Sequence, residues 1–86
     1  MKVRLFAALR ELAGASVLDV DAPDVGGLIS QLSGKFGPDF DRIMAAGAVV
    51  VNGETVDRSH SLGPEDEVAL LPPVSGGAIR TGEGGT

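Results

Sequence analysis

The stretch Asp24-Val25-Gly26-Gly27-Leu28-Ile29-Ser30-Gln31-Leu32-Ser33-Gly34-Lys35-Phe36 decides how this chain folds. Val25, Leu28, Ile29, Leu32 and Phe36 fall at i, i+3, i+4, i+7 and i+11, which is one apolar stripe at helical period. Asp24 can cap the helix by accepting backbone N–H bonds. Gly26 and Gly27 weaken the first turn, and Gly37-Pro38 stops the helix. A helix with a single apolar face must bury it against another layer.

That layer is legible on both sides. Upstream, Val3 and Leu5 alternate with Lys2 and Arg4 and lead into Phe6, a first strand. Ala7 to Ala13 favours a short helix that Gly14 ends. Ser16 to Val20 alternates again and predicts a second strand, antiparallel to the first through a connection looser than a tight hairpin. Downstream, Phe40, Ile43 and Met44 suggest a short helical turn ending near Gly47. Ala48 to Val51 is β-branched and apolar, a buried strand. Asn52-Gly53 is a hairpin signal because both residues tolerate positive φ. Glu54 to Asp57 is the returning strand, Ser59 to Ser61 a polar loop, Gly63-Pro64-Glu65-Asp66 a turn, and Glu67 to Leu71 the final strand. The expected fold is α+β: a mixed sheet of four to five strands with one main helix packed across it, for which a β-grasp is the compact solution.

Composition changes after Leu71. Pro72-Pro73 cannot continue a central strand, and the remainder is glycine-rich, with Ile79 its only sizeable apolar residue. The expected organisation is a domain over residues 1–73 and a mobile tail over 74–86.

The 86 residues suit one domain, and 43% hydrophobic content allows a core. No apolar run of about 18 residues could span a bilayer. The N-terminus reads as a strand rather than a signal peptide, and cytoplasmic residence is expected. With no cysteine, the chain has neither a disulfide framework nor a thiolate of its own. A net charge of −5, with no Trp, no Tyr and three Phe, points away from nucleic acid and towards a basic protein partner.

The common catalytic constellations are missing. No glycine-rich turn opens a helix and ends in Lys-Ser or Lys-Thr. His60 lies between Ser59 and Ser61, but such neighbours do not define a triad, and it reads as an ordinary surface residue. Glu65, Asp66 and Glu67 read as a solvated acidic turn, since adjacent strand residues point to opposite faces. No metal site is expected.

The end of the chain is unusual. Leu70-Leu71-Pro72-Pro73-Val74-Ser75-Gly76-Gly77 is a strand, a stiff break and a slim arm. Two glycines make a peptide thin enough to enter a tunnel that any Cβ would block. Taken alone, Gly76-Gly77 reads first as an ordinary glycine-rich terminus.

Three blocks carry a resemblance: Leu5-Phe6-Ala7-Ala8-Leu9-Arg10-Glu11-Leu12-Ala13-Gly14, Val51-Asn52-Gly53-Glu54, and Asp66-Glu67-Val68-Ala69-Leu70-Leu71-Pro72-Pro73-Val74-Ser75-Gly76-Gly77. They resemble the ubiquitin-like sulfur-carrier family, within it the small subunit of molybdopterin synthase, over residues 1–77. The resemblance implies a non-catalytic carrier with no bound cofactor. A ubiquitin-activating-type enzyme would use ATP to adenylate the terminal glycine, and sulfur would then replace one oxygen to give a thiocarboxylate. The tail would insert into the large subunit and donate sulfur to a pterin precursor. Gly77 would carry the sulfur and Gly76 give it reach. Phe6 and Leu71, with Arg10, Pro72 and Val74 nearby, are candidates for the partner-binding surface; for Phe6 and Leu71 the alternative is core packing.

One departure stands out. Nine residues, Ala78 to Thr86, follow Gly77, which therefore has no free carboxylate. Either the extension is trimmed, with a zinc isopeptidase-type enzyme as agent by family analogy, or the chain is inactive as a carrier. Gly84-Gly85 is an alternative terminus. Two further readings stay open: a sulfur carrier for thiamin thiazole, cysteine or another sulfur metabolite, and a plain ubiquitin-like binding module.

Overall fold

The computed structural model describes residues 1–73. The expected tail, with Val74, Gly76, Gly77, Gly84 and Gly85, lies outside the described residues.

Strand β1 (Lys2–Leu5) alternates exposed and buried side chains. Helix α1 (Ala7–Ala13) follows and ends at Gly14, whose φ of 72° lets its N–H reach the Arg10 carbonyl. Strand β2 (Val17–Asp19) runs back antiparallel to β1. Helix α2 (Val25–Phe36) is capped by Asp24, whose carboxylate accepts the Gly27 N–H at 2.7 Å. Val25, Leu28, Ile29 and Leu32 are buried along its stripe, each contributing about 1.5–3 kcal/mol of transfer free energy. Phe36, the last member, is only half-buried and sets its ring 5.8 Å from that of Phe40.

Helix α3 (Pro38–Ala46) is longer than the short turn expected. Pro38 begins it, where a missing N–H costs nothing and φ is already helical. Asp39 and Asp41 lie in its first turn, at the positive end of the helix dipole. Phe40 and Met44, one turn apart, are both buried. Strand β3 (Ala48–Val51) and strand β4 (Glu54–Val56) form the hairpin around Asn52 (φ 51°) and Gly53 (φ 88°). The returning strand stops one residue short of Asp57, which instead accepts the Ser59 N–H at 2.9 Å and closes a turn.

Strand β5 (Glu67–Leu71) completes a five-stranded sheet in the order β2-β1-β5-β3-β4. It is central, parallel to β1 and antiparallel to β3. Val3, Leu5, Val49, Val51, Val68 and Leu70 are buried from the sheet and join the helix residues in one core with Phe40, Leu9 and Met44. The result is the mixed-sheet α+β fold expected, a β-grasp, with α2 its longest helix and the shorter α1 and α3 beside it.

Candidate functional site: the exit of the central strand

The parallel register fixes what stands where the last strand ends. Leu5 lies opposite Leu70, so Phe6 and Leu71 follow at the same end of two neighbouring strands. Alternation continues through them. Val3 and Leu5 are buried on β1, Val68 and Leu70 on β5, and the intervening residues face the side the core does not cover. Phe6 is 41% exposed, as is Val17 on the neighbouring β2. Leu71 and Pro72 are half-buried, and Pro73 is exposed.

A row of paired positions crosses this uncovered face: Val17, Arg4, Ala69, Val50 and Thr55. Arg4 is held on it by Glu67, at 3.3 Å between Nη2 and Oε2. Both side chains are half-exposed, so the pair contributes about 0–1 kcal/mol and serves to orient Arg4. Phe6 also begins α1, with an extended φ of −122°. The next residue, Ala7, takes a left-handed φ of 50°, which turns the chain sharply from strand into helix beside Phe6. Arg10 is exposed further along α1. Phe6, Leu71 and Pro72 are thus brought to one end of the sheet, where the chain departs.

Other candidate residues have structural duties elsewhere. The His60 carbonyl accepts the Val25 N–H at 3.0 Å at the start of α2. The Ser59 hydroxyl donates to Asp57, not to the imidazole. These bonds, from the Ser59 hydroxyl and then its backbone N–H, hold Asp57 below the usual carboxylate range. Asp66 is lowered in the same way, chiefly by the Gly63 N–H at 2.8 Å and then by the Asn52 amide at 2.9 Å. Among the described residues no group of three or more His, Cys, Asp or Glu is placed to hold a metal ion. The described part of the chain offers an uncovered sheet face and a strand exit.

Sequence reasoning missed Gly47. In the sequence it marks only the end of a helical turn, yet its backbone lies directly against the Leu71 carbonyl. The one local signal was a glycine between a helix and a strand.

Comparison with known proteins places the fold and the exit in a family. Residues 3–77 match the ThiS family. The molybdopterin synthase sulfur carrier subunit of Arabidopsis thaliana is 32% identical over 80 residues, covering 90% of this chain and 82% of that protein. Small archaeal modifier protein 1 of Haloferax volcanii is 36% identical over 91 residues, covering 90% of this chain and 100% of that one. The solution structure of small archaeal modifier protein 1 from Methanosarcina acetivorans superposes with a TM-score of 0.78 at 29% identity, covering 88% and 94% of the two chains. A protein–protein complex of subunits 1 and 2 of the molybdopterin-converting factor from Helicobacter pylori contains a chain similar at TM-score 0.64 and 25% identity, covering 88% of this chain and 96% of that one. With the match running from the first strand through Gly77, this chain belongs to the ThiS family of ubiquitin-like sulfur carriers.

Proposed function

We propose that this chain is the sulfur-carrying small subunit of molybdopterin synthase and that its working terminus is Gly77. The observation that carries the reading is where the family match stops: at Gly77, directly after Gly76, with nine residues still to come. Hydrolysis of the Gly77–Ala78 peptide bond, consuming one water, would free the carboxylate. A zinc isopeptidase-type enzyme is the proposed agent. The carboxylate oxygen then attacks the α-phosphate of ATP on an activating enzyme, releasing pyrophosphate and leaving an acyl adenylate. Hydrosulfide from a sulfur donor displaces AMP, and the thiocarboxylate results. The large subunit receives the tail, the sulfur passes to the pterin precursor, and water restores the Gly77 carboxylate. This chain supplies no acid or base to these steps. Phe6, Arg10, Leu71, Pro72 and Val74 hold it on its partners, and Gly76 and Gly77 enter the tunnel. The ATP-dependent steps put its work in the cytoplasm.

The choice of Gly77 over Gly85 rests on reach. Ending at Gly85 adds eight residues, or up to about 26–29 Å of extended chain. A tunnel fitted to the short tail cannot hold that length with the carboxylate in place. Three recombinant chains, ending at Gly77, Gly85 and Thr86, are incubated with purified activating enzyme, ATP and a sulfur donor and read by intact mass. The first should gain sulfur for oxygen and the third should not. Efficient thiolation of the Gly85 chain with none of the Gly77 chain reverses the choice of terminus.

The identity to a small archaeal modifier protein favours a second reading. The same acyl adenylate could be attacked by a lysine amine, releasing AMP and forming an isopeptide bond. Tail peptides linked to lysine in the proteome of a producing cell, with no thiocarboxylate detected, would support it.

A further inference from the structure

Asn52 is the only asparagine in the chain, and a glycine follows it. Asparagine is a chemically labile residue, and a glycine after it leaves the next backbone nitrogen unshielded. Gly53 is exposed, with nothing within 4 Å of the place a Cβ would take. The Asn52 side chain is held elsewhere. Its amide nitrogen donates to Asp66 over 2.9 Å, and its oxygen accepts the Glu67 N–H at 3.0 Å. The Asn52 backbone N–H donates to the Glu67 carbonyl at 2.9 Å, so all three bonds run to the start of β5. Asp66 is itself fixed, its second oxygen accepting the Gly63 N–H at 2.8 Å. Gly53 leads the other way, into β4, and β3 separates β4 from β5 in the sheet. The Asn52 side-chain carbon is thus fastened towards β5, while the Gly53 nitrogen belongs to the turn into β4.

We propose that Asn52 is a deamidation site that Asp66 holds closed in the folded protein, and whose conversion unfastens the hairpin turn from the central strand. The reaction consumes only water. The Gly53 nitrogen loses its proton to hydroxide and bonds to the Asn52 side-chain carbon. The bond from that carbon to the amide nitrogen breaks, and ammonia leaves with a proton taken from water, which restores the hydroxide. Water then opens the cyclic imide at either carbonyl, giving aspartate or isoaspartate. For the side-chain carbon to reach the Gly53 nitrogen, the amide must leave Asp66 and Glu67, so the rate follows local opening of this network. Opening costs a hydrogen bond to an ionised acceptor, the stronger kind. The product cannot close as before. A carboxylate that only accepts stands where the amide donated. It faces Asp66, itself ionised at neutral pH, and like charges at that separation repel. The isoaspartate form also adds a carbon to the backbone of a turn whose two residues hold φ of 51° and 88°.

The test follows the full folded chain in mildly alkaline buffer by intact mass and by peptide mapping around Asn52, scoring replacement of the side-chain NH2 by OH. The same chain unfolded in urea gives the unrestrained rate. The folded wild type should deamidate about tenfold more slowly or less, and Asp66→Ala should speed the folded chain about tenfold. A folded wild type as fast as the unfolded chain overturns the proposal. Ile29→Val, a mild change in the core that leaves the network in place, should match the wild type. If it accelerates as much as Asp66→Ala, global unfolding sets the rate and the proposal is overturned. Should Asp66→Ala not fold, Asp66→Asn decides, because it keeps the shape of the side chain and removes the charge from the bond. A faster rate supports the proposal, and an unchanged rate overturns it. The consequence is read from Asn52→Asp, which makes the product directly. Its urea midpoint at neutral pH should fall below that of the wild type. Adding Asp66→Asn, which offers an amide to the new carboxylate, should restore it. A midpoint that does not fall, or that falls and is not restored, overturns the release of the turn.

Discussion

Asn52 and Asp66 tie the hairpin turn to the start of the central strand: the Asn52 side-chain amide donates to Asp66 over 2.9 Å. The Asn52 side-chain oxygen in turn accepts the Glu67 N–H at 3.0 Å, and the second Asp66 oxygen accepts the Gly63 N–H. Every bond to Asp66 favours its ionised form, and its pKa in the folded protein is lowered. The unfolded chain therefore takes up the proton first as pH falls. The stabilisation is fully present above the ordinary aspartate value of about 4 and is lost as pH drops through the lower folded value. Asp57 acts in the same direction. Urea midpoints measured from about pH 7 to pH 3 should fall at the acid end. The fall should be shallower in Asp66→Asn, and identical profiles would contradict the assignment.

Phe6 should separate binding from folding. It is 41% exposed, so Phe6→Ala should leave stability within about 0.5–1 kcal/mol. If it anchors a partner, the same change weakens binding by about 1–2 kcal/mol or more. Leu71 is half-buried, and Leu71→Ala should cost both quantities. Chemical denaturation beside a binding titration with the large subunit distinguishes them. A Phe6→Ala chain that binds as well as the wild type removes Phe6 from the docking surface.

Gly77→Ala, made in the chain ending at residue 77, should leave stability within about ±0.5 kcal/mol, because the described core ends at Leu70. Thiocarboxylate transfer should drop sharply, since a Cβ widens the tip of the arm. Equal transfer by the two trimmed chains would rule out a tunnel that admits only glycine.

Ala7 holds a left-handed φ of 50° at the entrance to α1. That conformation costs a residue with a Cβ about 1–2 kcal/mol, and glycine escapes it at an entropic cost of about 0.5–1 kcal/mol. Ala7→Gly should therefore raise stability by about 0.5–1 kcal/mol. A lower melting temperature for the variant would show that the turn carries no strain.

Local periodicity made much of the fold readable. The α2 stripe, its Asp24 cap, the Gly14 stop and the Asn52-Gly53 turn each depend on residues within about a turn of one another, and each stands where expected. The extent of α3 was less legible, because Phe40 and Met44 are helical only once the core receives both. Alternation put Phe6 on the same phase as Lys2 and Arg4, but could not say which face of the sheet the helices cover. The meeting of Gly47 with Leu71 depends on pairing β3 with β5, and no window of sequence contains it. The tail was legible only as composition and resemblance.

The placement of β5 has a consequence for how the molecule is made. Synthesis delivers the middle of the sheet last, so β1 with β2 and β3 with β4 emerge as two separate hairpin-like halves. Neither half can complete the core, because Val68 and Leu70 lie between them. Long-range closure of this kind delays folding until both partners of the pairing exist. A nascent chain that stops before Val68 lacks both Val68 and Leu70 and cannot complete this core. Quality control by proteolysis would therefore clear truncated chains, and each folded molecule reaching a partner would carry the root of its tail.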